Sequence, residues 1–264
     1  MSFNASEVAE FIINWLDDYS AKSGVDSFVV GVSGGIDSAV TASLCARTGR
    51  STFIVNMPIH QSSTELKRSD ELVASLTSSF ENVESIDVSL SKVYDEIKSV
   101  LPQVEDKSGG LALANTRARL RMTTLYALAA ERGALVVGTG NKIEDFGVGF
   151  YTKYGDGGVD ISPIADLVKT EVYELGDVLN VPKSIMEAAP TDGLWGDDRN
   201  DEDQIGASYP ELEKAMSKAE EFKNGNGSPD DLSGREAEVF AIYSRLNRAN
   251  QHKMLPIPVC VIPR

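Results

Sequence analysis

Residues 31–38 read Gly31-Val32-Ser33-Gly34-Gly35-Ile36-Asp37-Ser38. Such a run suits phosphate chemistry. Adjacent glycines let the backbone turn tightly and approach a ligand closely. Unpaired N–H groups at the start of a following helix attract an anion, and Ser33 and Ser38 add hydroxyls. Asp37 is out of place in a plain anion nest, since its charge repels phosphate; a divalent cation between the two resolves the conflict. The run is not a Walker A loop, because G-x-x-x-x-G-K-[ST] is absent. It does match the G-x-S-x-G nucleophile elbow of hydrolases, with Ser33 as nucleophile and His252 late enough in the chain to serve as base. The chain has only two histidines and no HGGG oxyanion motif, which weighs against that alternative. A non-catalytic adenine-nucleotide-binding module is the other alternative.

The elements around this run place it. Ser27–Val32 is a short β-rich stretch, and a helix is expected from about Asp37 to Arg47. Strands are also expected at Thr52–Met57, Val83–Val88 and Ala134–Gly138. Helices are expected at Ala5–Tyr19, at Ser62–Ser78, after a Ser89 cap, and at Leu111–Arg132. Alternating strands and helices imply an α/β fold, a Rossmann-like parallel sheet flanked by helices. Residues 31–38 then lie at the carboxyl edge of the strands, where such sheets bind ligands. Gly140–Asp160 is glycine-rich and reads as loop. Added C-terminal helices are expected at Lys169–Asn180, Tyr209–Phe222 and Ser233–His252, and the proline-rich end is not helical. Phe11, Trp15 and Trp195 read as core or interface residues.

The chain has 264 residues and a formal charge of −15, and its only cysteines are Cys45 and Cys260. It is long enough for a sizeable core. A disulfide scaffold or zinc cluster is excluded by the cysteine count, and a reducing cytoplasm fits. No apolar run approaches a membrane span and no signal peptide opens the chain. The acidity argues against nucleic acid as a partner. Two stretches run against that average: Lys107–Arg121 and Arg245–Lys253 carry no acid, with charges of +4 and +3. Arg117 and Arg121 share one helix face, while Arg119 points elsewhere with Asn115 and Thr123. Asp192–Asp203, by contrast, is acidic.

The 31–38 run resembles the SGG-x-DS loop of N-type ATP pyrophosphatases, which cleave ATP between its α and β phosphates. Later segments point to one branch. Gly138-Thr139-Gly140-Asn141-Lys142-Ile143-Glu144, then Thr152-Lys153-Tyr154-Gly155-Asp156-Gly157-Gly158-Val159-Asp160, then Pro163 and Lys169, resemble the GT-x(4)-E and TKYGDGG-x-D-x-x-P pattern of the ammonia-dependent NAD synthetases. Asn115–Met122 is similar to that family's N-x-x-AR-x-RM helix. Ala189-Pro190-Thr191, Asp201-Glu202, Gly206 and His252-Lys253 follow in family order. The stretch from Glu144 to Lys153 is one residue longer than the bacterial pattern.

This resemblance implies an adenine nucleotide alpha hydrolase-like fold, one synthetase domain over residues 1–264, and a two-step reaction. The carboxylate of deamido-NAD attacks the α-phosphate of ATP, giving an acyl adenylate and pyrophosphate. Ammonia then expels AMP. It implies Mg2+ at Asp37 and Glu144. ATP would be held by Gly31, Val32, Ser33, Gly34, Gly35, Ile36, Asp37, Ser38, Thr139, Lys169 and Thr191. Deamido-NAD would be held by Arg119, Lys153, Asp160, His252 and Lys253. Lys169 would serve catalysis at the phosphates. Asp156 is the candidate to bind ammonium and take its proton, since the nucleophile must be free ammonia. The resemblance also implies a homodimer, with the apolar face of the first helix either at that contact or over the sheet. The length leaves no room for a fused glutaminase; a separate glutaminase partner stays open, although nothing in the sequence indicates one.

Overall fold

A computed structural model of the chain describes residues 3–102, 110–191 and 200–263. Lys107, Trp195 and residues 192–199 of the acidic stretch lie outside them. Strand β1 (Ser27–Val32) is Phe- and Val-rich and almost wholly buried, as a central parallel strand must be. β2 (Ser51–Asn56), β3 (Val83–Asp87) and β4 (Leu135–Val137) complete a parallel sheet of order β3-β2-β1-β4. A bridge from Val137 to Ile161 extends it past β4.

Ten α-helices surround the sheet among the described residues. α1 (Ala5–Ser23) is capped by Asn4 and ends at Gly24, whose φ is +70°. α2 (Ile36–Arg47) is built mostly of small residues and is buried from Ser38 to Ala46. α3 (Ser63–Ser79) starts with a capping box between Ser62 and Glu65. α4 (Ser91–Val100) and α5 (Leu111–Arg132) cover the opposite face. α6 (Lys169–Val178) and the short α7 (Lys183–Met186) join α1, α2 and α3 on the first face. α8 (Asp201–Ile205), α9 (Tyr209–Lys223) and α10 (Gly234–Met254) build a separate helical layer with its own apolar core. Among the described residues no helix is long and apolar enough to cross a membrane.

Two expectations are corrected. Ser89 does not cap α4; the cap position is Leu90, without a side-chain cap. Gly140–Asp160 is not loop throughout, because Ile143–Val148 forms a π-helical turn. Its glycines hide the turn in the sequence, whereas buried Ile143 and Val148 pack it against α9 and α10. Of the two readings of Phe11, core or interface, burial removes the first: it is 70 % exposed, while Ala9, Ile12 and Leu16 form the buried face of α1.

The strand order changes direction between β1 and β4. The chain therefore leaves a crevice at their carboxyl ends, flanked by the β1–α2 turn on one side and the segment after β4 on the other.

Candidate active site

The β1–α2 turn is shaped by its own hydroxyls. Ser38 Oγ donates to the Gly35 carbonyl at 3.0 Å and accepts from Ser33 N at 3.2 Å. Ser33 Oγ lies 3.2 Å from Ser38 Oγ and accepts from Gly35 N at 3.3 Å. Gly34 has φ +79°, and a Cβ there would stand 2.9 Å from the Glu65 carbonyl oxygen. Both facts demand glycine. Arg68, on α3, donates to the Gly34 carbonyl at 3.2 Å and lines the same crevice. Neither histidine is bonded to Ser33: the His60 ring pairs with Asp95 at 2.9 Å and the His252 ring with the Ala249 carbonyl at 3.1 Å. The hydrolase alternative therefore fails, since its nucleophile has no base.

Asp37, at the start of α2, meets Glu144, on the π turn after β4. The cation between them is Lys169. Its ammonium lies 2.5 Å from Asp37 Oδ2 and 3.1 Å from Glu144 Oε1, and the residue is only 3 % exposed. A lysine at a helix start opposes the helix dipole, and the two carboxylates offset this. Burial works against the ammonium, but Asp37 and Glu144 hold it above the ordinary lysine range. Burial pushes Asp37 up, against the pull of Lys169. Fully buried Asn141 ties the pair together. Its Nδ2 donates to Asp37 Oδ1 at 3.2 Å, and its Oδ1 accepts from the backbone N of Ile143 and Glu144 at 3.1 and 3.2 Å.

Asp156 sits in a turn opposite, its carboxylate accepting from Thr152 N at 2.9 Å. Water reaches it, but protein atoms crowd it, and that desolvation pushes its carboxyl up to about 6. Asp145, next to Glu144, is pushed up to about 8, first by burial and then by Glu144, Asp156 and Asp37. Its carboxylate lies against Gly140, where an added Cβ would be 2.3 Å from either oxygen.

All the residues expected to hold ATP line this one crevice, together with Glu144 and Asp156. Counted with the solvent at its open mouth, the crevice spans about 1540 Å³. The residues expected to hold deamido-NAD lie elsewhere. Arg119, on α5, donates to the Lys153 carbonyl at 3.3 Å, and Lys153 Nζ reaches the His252 carbonyl. Lys253 donates to the carbonyls of Gly149 and Tyr151 at 2.7 and 2.8 Å. Those four form a continuous patch from α5 across the loop to α10. Asp160 is apart, accepting from Val136 N at 2.8 Å and Tyr126 Oη at 3.0 Å.

Sequence reasoning missed Asn141, Asp145, Arg68 and Tyr209. The first two were within reach, one inside the GT-x(4)-E stretch and the other beside Glu144. Arg68 and Tyr209 carry no local signal.

The NAD synthase family model matches residues 8–256. The chain is 37 % identical over 268 residues to an NH(3)-dependent NAD(+) synthetase of Alkaliphilus oremlandii, covering 98 % of this chain and 99 % of that one. Among solved structures it is similar to an NMN synthetase from Francisella tularensis, with TM-score 0.81, 32 % identity and 99 % coverage of both chains. It is also similar to an NH3-dependent NAD synthetase from Campylobacter jejuni, with TM-score 0.77, 26 % identity, and coverage of 98 % and 100 %. A likeness that runs through the whole sheet, the crevice and the C-terminal helical layer leaves one assignment: the chain belongs to the NAD synthase family.

Proposed function

We propose that the protein amidates deamido-NAD with ammonia, driven by ATP, to give NAD, AMP and pyrophosphate through an acyl adenylate. The observation that carries this reading is the convergence of the β1–α2 turn, Asp37, Glu144 and Lys169 in one crevice. Backbone N–H groups of the turn bind the phosphates. Lys169 exchanges its two carboxylates for phosphate oxygens and neutralises the charge on the departing pyrophosphate. Thr139 and Thr191 bound the same space. The patch of Arg119, Lys153, His252 and Lys253 takes the dinucleotide; Asp160 stands apart from it, beside β4. Asp156 binds ammonium near the acyl carbon and accepts its proton.

Asp37 and Glu144 suit Mg2+. Both reach one shared cation, and both offer the hard oxygen donors that the ion prefers. Magnesium is commonly held by one or two carboxylates together with substrate phosphates, and Asp37 and Glu144 offer two such carboxylates. When bound, the ion supplies positive charge to the phosphates. The same reading takes the protein as a cytoplasmic homodimer. Free thiols at Cys45 and Cys260 support a reducing compartment, and the exposed apolar side of α1 supports a second copy.

The test supplies deamido-NAD, ATP, Mg2+ and ammonium and follows NAD and pyrophosphate. The acid form of NMN is run in parallel, because the Francisella protein is named an NMN synthetase. Phosphate in place of pyrophosphate, or no amide product, overturns the proposal.

A further inference from the structure

Tyr209 opens α9 in the C-terminal helical layer, and it is 2 % exposed. A tyrosine so buried needs a partner for its hydroxyl. That hydroxyl donates to Glu144 Oε1 at 2.6 Å and lies 3.4 Å from Asp201 Oδ2. Glu144 Oε1 is the same oxygen that Lys169 approaches. The Lys169 ammonium also stands 4.7 Å from the centre of the Tyr209 ring. One side chain thus touches both charged groups, Glu144 through its hydroxyl and Lys169 through its ring face.

We propose that Tyr209 is a positioning residue for the nucleotide site: its hydroxyl fixes the Glu144 carboxylate for a divalent cation, and its ring carries the Lys169 ammonium as it moves from the carboxylates to phosphate. The inference deepens the proposed activity and rests on it for the identity of the nucleotide. Two of the three N–H donors of Lys169 are committed to the carboxylates, so engaging more than one phosphate oxygen draws it off at least one of them. When it leaves, Glu144 loses a partner, and a glutamate on a mobile side chain costs entropy to hold. The Tyr209 hydrogen bond remains and keeps the carboxylate in place. The ring's negative face favours the ammonium without competing for its protons. Asn141 does the corresponding work for Asp37 from the other side.

The test is ATP affinity measured by calorimetry with Mn2+ and in EDTA, with no second substrate present, so that turnover plays no part. Tyr209→Phe keeps the ring and removes the hydroxyl. It is expected to bind ATP as wild type in EDTA and to lose roughly 10–100-fold of the tightening that Mn2+ confers, the scale of a hydrogen bond to a charged group. Glu144→Gln should show the same loss, and the double variant should be no worse than Glu144→Gln alone. Tyr209→Leu should in addition weaken ATP binding in EDTA, because Lys169 loses its platform. A wild-type Mn2+ effect in Tyr209→Phe, additive losses in the double variant, or a Tyr209→Phe chain that fails to fold would each overturn the proposal. If the amidation assay gives no product, the activity reading falls while these binding differences stay readable.

Discussion

At Lys169 the fold places one buried cation against two largely buried carboxylates. Replacing it with Met leaves those carboxylates facing each other. Lys169→Met is therefore expected to destabilise the protein by about 3–5 kcal/mol in urea unfolding and to slow pyrophosphate release roughly 10²–10³-fold. Asp156 makes a different kind of prediction. Its carboxyl is pushed up to about 6, so below that pH it is protonated and cannot accept a proton from ammonium. Amidation measured at constant free ammonia should rise with pH through about 6 and then level. Asp156→Asn should abolish that rise and depress amidation more than adenylate formation; equal loss of both steps would remove Asp156 from the proton transfer.

At the level of elements, the β1–α2 turn and the π turn behave differently. The first is local: glycines, hydroxyls and a helix start lie within eight consecutive residues, so its shape was legible before any contact was known. Gly34→Ala tests it. Both the positive φ and the 2.9 Å approach to the Glu65 carbonyl are violated by a Cβ, and the backbone on either side cannot yield cheaply. A loss of about 1–3 kcal/mol in thermal or urea unfolding, with weakened ATP binding, is expected. The π turn is held by partners far away, α9 and α10, and by the side chain of Asn141. Its six residues, IEDFGV, are too few to show a helical period.

Across the whole molecule, a formal charge of −15 is compatible with polyanionic ligands because the charges are segregated. Arg119, Lys153 and Lys253 line one patch, and Asp37, Glu144, Asp145 and Asp156 gather around the crevice that a cation would neutralise. On the far side, α1 buries Ala9, Ile12 and Leu16 and leaves Phe11, Trp15 and Tyr19 exposed at 70, 37 and 40 %. Trp15 and Tyr19 rings lie 5.5 Å apart, forming with Phe11 an apolar stripe at helical spacing. A stripe of this kind marks an interaction surface. Phe11→Glu with Trp15→Glu is expected to convert the proposed dimer to monomer in sedimentation while leaving the fold intact by circular dichroism. A monomeric wild type, or a double variant that stays dimeric, would exclude this face.

The alternation of buried strands with helices determined the class of sheet, since period and turn chemistry are carried by neighbouring residues. The same locality made the phosphate turn readable, while TKYGDGG pointed to the branch of chemistry only through its resemblance to a known family. Tertiary structure alone decided that Lys169 leaves solvent to lie between Asp37 and Glu144, residues separated from it by 132 and 25 positions. It also decided that the ATP set shares one crevice while Arg119, Lys153, His252 and Lys253 form another patch, and that Tyr209 reaches into the site from a separate helical layer. These depend on how distant elements pack, and no spacing along one chain encodes the distance between side chains that meet only when the sheet and its helices close on each other.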